Sequence, residues 1–366
     1  MGFTKRGWSV GAAGFLAGGF SAGAVAVVLL WTGTVGAGPL DPPAGPVAPT
    51  FKTMTDVEPR IALSAANTPG DADSVFKITQ SGSYYLTGNL AGVSGKSGIE
   101  IAASNVTIDL RGFTMQGVTG SLDGIASPFG AIGITIQNGF ITGWSDGIDL
   151  TLGGQSRVSG VNASDNTGGG IRLGNEGMVR ECTAFSNGGS GISVSGTGSG
   201  VIESCIARSN TLDGIVLSAS GVVRNCEARG NSGAGIRSSS SGYSLITECS
   251  SVENVGDGIR VGNGATVSRN TCSFNGDAGI GAGIRAIGVD NRIEENNCAS
   301  NERGIEVTGT SNFIARNTVT GSVVNNWVIS ANNVILVVVG NNAGAFTGFS
   351  GGTAPGSADP NANFSY

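Results

Sequence analysis

The chain contains no histidine. That absence removes imidazole as a general base, as a metal ligand and as a member of a catalytic triad. Lysine occurs four times, at Lys5, Lys52, Lys77 and Lys96, and never after residue 96. With a formal net charge of −6, the chain offers no clustered basic surface to neutralise phosphates, so no nucleic-acid partner is expected. Charged residues make up only 13% of 366 positions, which is too few for an ordinary helical or α/β enzyme. What fills the gap is glycine, with 64 residues. It shows no period of three, so a collagen triple helix is excluded.

The N-terminus is built for export. Lys5 and Arg6 precede a run free of charge until Asp41, GWSVGAAGFLAGGFSAGAVAVVLLW among it. Val35 and Ala37 occupy the −3 and −1 positions of a signal-peptidase site, which would start the mature chain near Gly38. The run also exceeds the ~20 residues that span a bilayer, so a retained membrane anchor over 1–37 is the alternative. Residues 38–55 hold GPLDPPAGPVAPT and are expected to form an extended linker.

The body is a repeat. The pair Gly-Ile recurs with glycine at 147, 170, 191, 214, 235, 258, 279 and 304. Asparagine stands four residues earlier at 166, 187, 210, 231, 254 and 275, and Asn301 three before Gly304. Each unit opens on Val158, Val179, Ile202, Val223, Ile246, Val267, Ile293 or Ile314. Three residues on come Val161, then Cys182, Cys205, Cys226 and Cys249, then Asn270, Asn296 and Asn317. Apolar residues alternate in runs too short for helices, which is the strand period. A unit of this size cannot bury its inward face alone, and stacking on its neighbours does so. Glycine and asparagine tolerate the left-handed backbone of tight corners, and stacked asparagines can form an amide ladder.

This pattern resembles the right-handed parallel β-helix superfamily, whose best-known members are pectate lyases and polygalacturonases. The resemblance implies an all-β solenoid over 98–340 with nine to eleven coils and Ile148, Ile171, Ile192, Ile215, Ile236, Ile259, Ile280 and Ile305 in one inward column. Residues 56–97 are expected to form an N-terminal cap, because an open first coil exposes core and strand edges. Residues 341–366 are expected to fold back over the last coil, with Phe364 and Tyr366 as apolar plugs.

Six cysteines in an exported chain suggest disulfides. Parallel neighbours ~4.8 Å apart nevertheless point their side chains the same way, which suits a column of free buried thiols better. Disulfides in part of the column, or a metal site, are the alternatives, although a linear stack does not supply tetrahedral thiolates. No metal and no cofactor is expected.

Members that cleave sugars work on an outward face across several coils, so the position after each Gly-Ile is the candidate site. It reads Asp149, Arg172, Ser193, Val216, Arg237, Arg260, Gly281 and Glu306. Arg237 and Arg260 should stack and could hold a carboxylate bidentately, or could be solvated surface charges. Trp144 could stack on a sugar, or fill a buried corner. Asp123, Asp146, Asp213 and Asp257 precede their glycines and could serve acid–base chemistry, but Asp-Gly is also an ordinary turn dipeptide. The superfamily's catalytic signatures are missing: there is no Gly-His-Gly segment, and no arginine stands in an Arg-x-Pro-type context. The candidate substrate-binding residues are therefore Arg172, Arg237, Arg260, Asp149 and Trp144, with no catalytic residue assigned. The expected function is a secreted or cell-envelope β-helix with a structural, adhesive or glycan-binding role, whose partners are polysaccharide or envelope components. The alternative is a lyase or hydrolase of an acidic polysaccharide. Deep outward grooves with clustered carboxylates would favour the enzyme, and a flat polar surface the scaffold.

Overall fold

The structure, a computed structural model, describes residues 60–365 apart from 219, 240–242, 278, 337, 341–345 and 349–358. The expected export segment and linker, the first residues of the expected cap at 56–59, and Tyr366 lie outside the described residues. Among those described there is no helix. The chain is a right-handed parallel β-helix. Each coil gives one strand to a 13-stranded sheet that runs from Ser74–Ile78 to Phe346–Gly348. Shorter strands on the rest of each coil, such as Gly200–Glu203 and Ile206–Arg208, build the other faces. Eleven strands of the 13-stranded sheet fall between Ser97 and Ile329, and one more is added at each end. The segment read as a cap is itself wound into the sheets: Ser74–Ile78 pairs with Ser97–Ile101, and Gly82–Tyr85 with Val106–Asp109.

The inward column holds Ile148, Ile171, Ile192, Ile215, Ile236 and Ile259 as expected, all fully buried. The next member is Ile284, not Ile280. The stretch GIGAGI carries two Gly-Ile pairs. Four extra residues leave the coil as a loop closed by an antiparallel bridge between Asp277 and Ile280, and Ile280 is 68% exposed. Ile305 and then Trp327 continue the column, the indole fully buried.

Inside the corners run ladders of buried amides. In the first, the Nδ2 of Asn166, Asn187, Asn210, Asn231, Asn254 and Asn275 each donates to the Oδ1 of the next member, ending on Asn301, over 2.8–3.0 Å. The same Oδ1 accepts the backbone N–H of the preceding member, as Asn231 Oδ1 does from Asn210 at 3.0 Å. The remaining Nδ2 hydrogen goes to a carbonyl: Asn231 donates to Ala207. At the inner members both acceptor sites and both donors are used, so burial leaves nothing unpaired there. A second ladder links Asn270, Asn296, Asn317 and Asn363. A third, absent from the repeat reading, links Asn291, Asn312 and Asn333.

The corner conformation is not where the glycines and asparagines suggested. The residue just before each ladder asparagine except Asn363, and just before Cys182, Cys205, Cys226 and Cys249, is left-handed, and it is often not glycine: Glu181, Ser204, Glu248, Arg269, Phe274, Glu295 and Arg316 all have φ between 53° and 58°. The Gly-Ile glycines serve close approach instead. A Cβ on Gly214 would lie 2.6 Å from Asn231 Nδ2 and 2.7 Å from the Gly235 carbonyl oxygen.

All six cysteines are buried free thiols. Cys182, Cys205, Cys226 and Cys249 precede Asn270 in one column, and Cys272 pairs with Cys298 in the neighbouring one. The tail returns as Asn363–Ser365, between Thr318–Thr320 and Val338–Gly340. Its anchors are polar: Asn363 and Ser365 are buried, whereas Phe364, expected as a plug, is 37% exposed.

Substitutions at Cys205 test the column. Cys205→Ala should cost about 1–2 kcal/mol through a small cavity. Cys205→Asp buries an unpaired charge and should cost several kcal/mol or disrupt the coil. Equilibrium unfolding of both variants, with maleimide labelling of the native protein, is the check. Equal stabilities, or rapid labelling without unfolding, would place the thiol on the surface.

Candidate functional site

The 13-stranded sheet presents one outward row, and strand register fixes its order. From the first coil it reads Lys77, Glu100, Ala126, Asp149, Arg172, Ser193, Val216, Arg237, Arg260, Arg285, Glu306 and Val328. Three arginines therefore stack on consecutive coils. Arg285 takes the place expected for Gly281, because the extra loop shifts the count by four residues. The doubled Gly-Ile was the signal for it in the sequence.

A second column flanks the row, just before each glycine. Asp123, Asp146, Asp213 and Asp257 stand there, with Ala234 between the last two. Each aspartate uses one oxygen to accept a backbone N–H from the next coil. Asp123 accepts from Asp146, Asp146 from Gly169, Asp213 from Ala234 and Asp257 from Ala282. The other oxygen can reach the arginine one coil on. Asp146 Oδ2 lies 2.5 Å from Arg172 Nη1, and Asp213 Oδ2 lies 2.6 Å from Arg237 Nε. Arg172 also reaches Asp149 at 3.2 Å.

Arg260 breaks this rule. The position that would supply its carboxylate is Ala234. Arg260 has no hydrogen bond or ion pair among the described residues. Arg285 Nε lies 3.5 Å from Glu306 Oε2, which also faces Arg303 at 4.0 Å. Arg237, Arg260, Arg285, Asp213, Asp257 and Ile280 line one depression of about 490 Å³. A second, of about 500 Å³, is lined by Asp146, Arg172, Ser190, Ser193, Leu212 and Val216 and shares Arg237 with the first. Together they form a groove along the sheet. Burial pushes the Asp257 carboxyl above its ordinary range, against the pull of Arg285 and Arg260. Burial likewise raises Asp123.

The structure thus brings Arg237 and Arg260 together and sets Arg172 and Asp149 in an ion pair farther along the same face. It removes Trp144 from the site. That ring is 1% exposed, and its Nε1 donates to the Met115 carbonyl at 3.1 Å. An indole at this corner fills core left open by the glycines at 98 and 124 that pack against it.

Three donor sets bear on metal binding. The carboxylate oxygens of Asp123, Asp146 and Asp149 lie within 4.8 Å of one another, a hard-oxygen set in which Arg172 pairs with two members, and Asp71, Asp73 and Glu100 form a second, in which Lys77 pairs with Asp71 and Glu100. The thiols are inside the solenoid.

The sequence of residues 134–293 is similar to the family described as periplasmic copper-binding protein (NosD). No match to a curated protein sequence was found. The fold is similar to the mannuronan C-5 epimerase AlgE4 A-module of Azotobacter vinelandii, at 16% identity and a TM-score of 0.57, covering 81% of this chain and 88% of that one. It is also similar to the AlgE6 A-module of the same organism, at 15% identity and a TM-score of 0.54, covering 78% and 80%. A third likeness is to the catalytic domain of a GH87 alpha-1,3-glucanase in complex with nigerose, at 13% identity and a TM-score of 0.50, covering 76% and 62%. These likenesses establish the fold. Copper sites draw on imidazole, thiolate or thioether; this chain has no histidine, its six cysteines are buried, and of the described methionines Met115 is buried and Met178 half-buried.

The state of Asp257 is measurable. A carboxyl raised by burial contributes stability that is complete below its unfolded value of about 3.9 and is lost as pH rises through its folded value. Asp257→Asn keeps an oxygen for the Ala282 N–H and cannot ionise. The variant should match the wild type near pH 3 and gain on it as pH rises above the ordinary aspartate range. Thermal midpoints from pH 3 to 8 check this, and parallel curves would show that Asp257 ionises as freely as a surface carboxyl.

Proposed function

We propose that this protein is an exported β-helix that binds a glycan along the outer groove of its 13-stranded sheet without cleaving it. The observation that carries the reading is the groove itself: two adjoining depressions sharing Arg237, lined by arginine, serine and backbone-tied aspartate on a rigid parallel sheet. Such a surface sets hydroxyl-binding groups in a fixed array beside apolar walls at Leu212, Val216, Ile280 and Ile287, a mixture that suits the polar edges and carbon faces of a sugar chain. Two further facts support it. The fold is shared with modules that the names of the similar structures connect to polysaccharides. The matched family is described as periplasmic, in keeping with the export segment expected at 1–37.

The groove carries carboxylates, the feature expected of an enzyme, but most of them are committed. Asp146 and Asp213 each hold a backbone N–H and an arginine, so neither is free to shuttle a proton. Asp257 is the exception. Its raised, buried carboxyl beside Arg260 and Arg285 favours a second reading, a lyase or hydrolase of an acidic polysaccharide using Asp257 as acid or base.

A glycan array on the purified protein, followed by product analysis on every hit, separates the two. Binding with the ligand recovered intact is the expected result. Shortened or unsaturated products abolished by Asp257→Asn would establish the enzyme instead, and an array without hits would remove the glycan role.

A further inference from the structure

The groove is electrically uneven along its length, and the unevenness specifies a charge pattern in the ligand. At the end near the first coils, Asp123, Asp146 and Asp149 face the single cation Arg172. In the middle, Ser193 and Val216 are uncharged and short, beside an exposed Leu212. At the far end, Arg237, Arg260, Arg285 and Arg303 face Asp213, Asp257 and Glu306. Four guanidiniums against three carboxylates leave one cation over. Geometry identifies it as Arg260, since the alanine at 234 removes the carboxylate that its stacked neighbour Arg237 receives from Asp213.

Resting on the glycan reading above, we infer that the ligand is a largely neutral oligosaccharide carrying one anionic group, a uronate carboxylate or an acidic ester, seated on Arg260. Its neutral sugars lie over Val216 and Ser193 toward the first coils. The planar guanidinium suits bidentate capture of a carboxylate or ester oxygen pair, and Arg237, held by Asp213, and Arg285, 3.5 Å from Glu306, add attraction from one strand spacing of about 4.8 Å to either side. Ile280, raised by the extra loop, and Ile287 give the same depression an apolar wall for the carbon face of the charged sugar. A uniformly charged chain fits poorly. From Arg260 to Asp149 is five strand steps, roughly 24 Å, so such a chain would lay carboxylates against the acidic end of the groove. Like-charge contact there selects against it.

The test uses three probes of matched length in calorimetry: xylohexaose, xylohexaose bearing one glucuronate, and hexagalacturonate. Hits from the array, sorted by the same three charge classes, serve beside them. The singly charged class should bind at least tenfold tighter than the other two. Arg260→Gln, with an unchanged thermal midpoint, should bring it down to the neutral level, and Arg260→Lys should restore part of the difference. Hexagalacturonate binding as well as or better than the singly charged probe overturns the inference, as does an Arg260→Gln variant that binds like the wild type. Equal binding of neutral and singly charged ligands overturns it while leaving the glycan reading in place. Absence of binding to every class removes both.

Discussion

The buried asparagine amide is the constraint on which the rest of this structure depends. An unpaired amide inside an apolar core costs several kcal/mol. Here each inner rung of the first ladder is satisfied by the rung above, the rung below and one carbonyl, as at Asn210, whose Nδ2 reaches both Asn231 Oδ1 and the Ala184 oxygen. A rung can do this only if adjacent coils are in perfect register, because a shift by one residue would take the Oδ1 away from two donors at once. The amide therefore enforces translational stacking. It also dictates its surroundings: the Gly-Ile glycine must lack a side chain where the amide crosses it, and the residue before the rung must turn left-handed to aim the side chain inward. A left-handed glutamate or arginine is disfavoured by roughly 1–2 kcal/mol, a cost that the hydrogen bonds of the rung offset.

Translational register turns the surface into a column code. An aspartate before the glycine of one coil meets the amide of the next and, at Asp146 and Asp213, its arginine, whereas Asp257 holds the Ala282 amide and Arg285 turns to Glu306. Groove electrostatics then depend on which coils keep the aspartate. One alanine, at 234, frees one guanidinium at 260. The same logic explains why a loop of a few residues matters. By leaving the coil at Asp277 and returning before Ile284, it preserves the ladder through Asn275 and Asn301, adds a third arginine to the stack and raises an apolar residue beside it.

These features differed in how far the sequence disclosed them. The solenoid was legible because identical columns must recur when each residue packs on its own equivalent, and periodicity survives any exchange of residue type. The first amide ladder was legible for the same reason. The third ladder was not: Asn291, Asn312 and Asn333 occupy only the last coils, too few for a column to stand out. The left-handed positions were hidden because glutamate, serine and phenylalanine give no hint of positive φ. Arg237 and Arg260 could be placed as neighbours by counting, but Arg285 could not, since counting fails where two Gly-Ile pairs compete and only burial decides between Ile280 and Ile284. Trp144 was ambiguous in kind: an aromatic at a corner serves a sugar or a core equally well until the glycines around it are seen to leave a space.

The cysteine column shows how one site accepts two chemistries. The Sγ of Cys182, Cys205, Cys226 and Cys249 each lies 3.6–3.7 Å from the carbonyl of the unit opener one coil back, at Val158, Val179, Ile202 and Val223. Asn270, Asn296 and Asn317 donate Nδ2 to the continuation of that series, Ile246, Val267 and Ile293, at 2.9–3.0 Å. Thiol and amide thus face the same acceptor. They differ in obligation. A thiol is a weak donor that can stay unpaired at little cost, so a run of cysteines can begin or stop at any coil. An amide brings two donors and an acceptor, so a run of asparagines needs a terminus that satisfies its ends. The upper end meets the Cys249 N–H at Asn270 Oδ1. The lower end needs Asn363, brought back from the tail, which passes its own donors to the Ile314 and Leu336 carbonyls. The returning tail is thus required by the asparagine half of the column and by nothing in the cysteine half, which is why its anchor is polar and its phenylalanine is left at the surface.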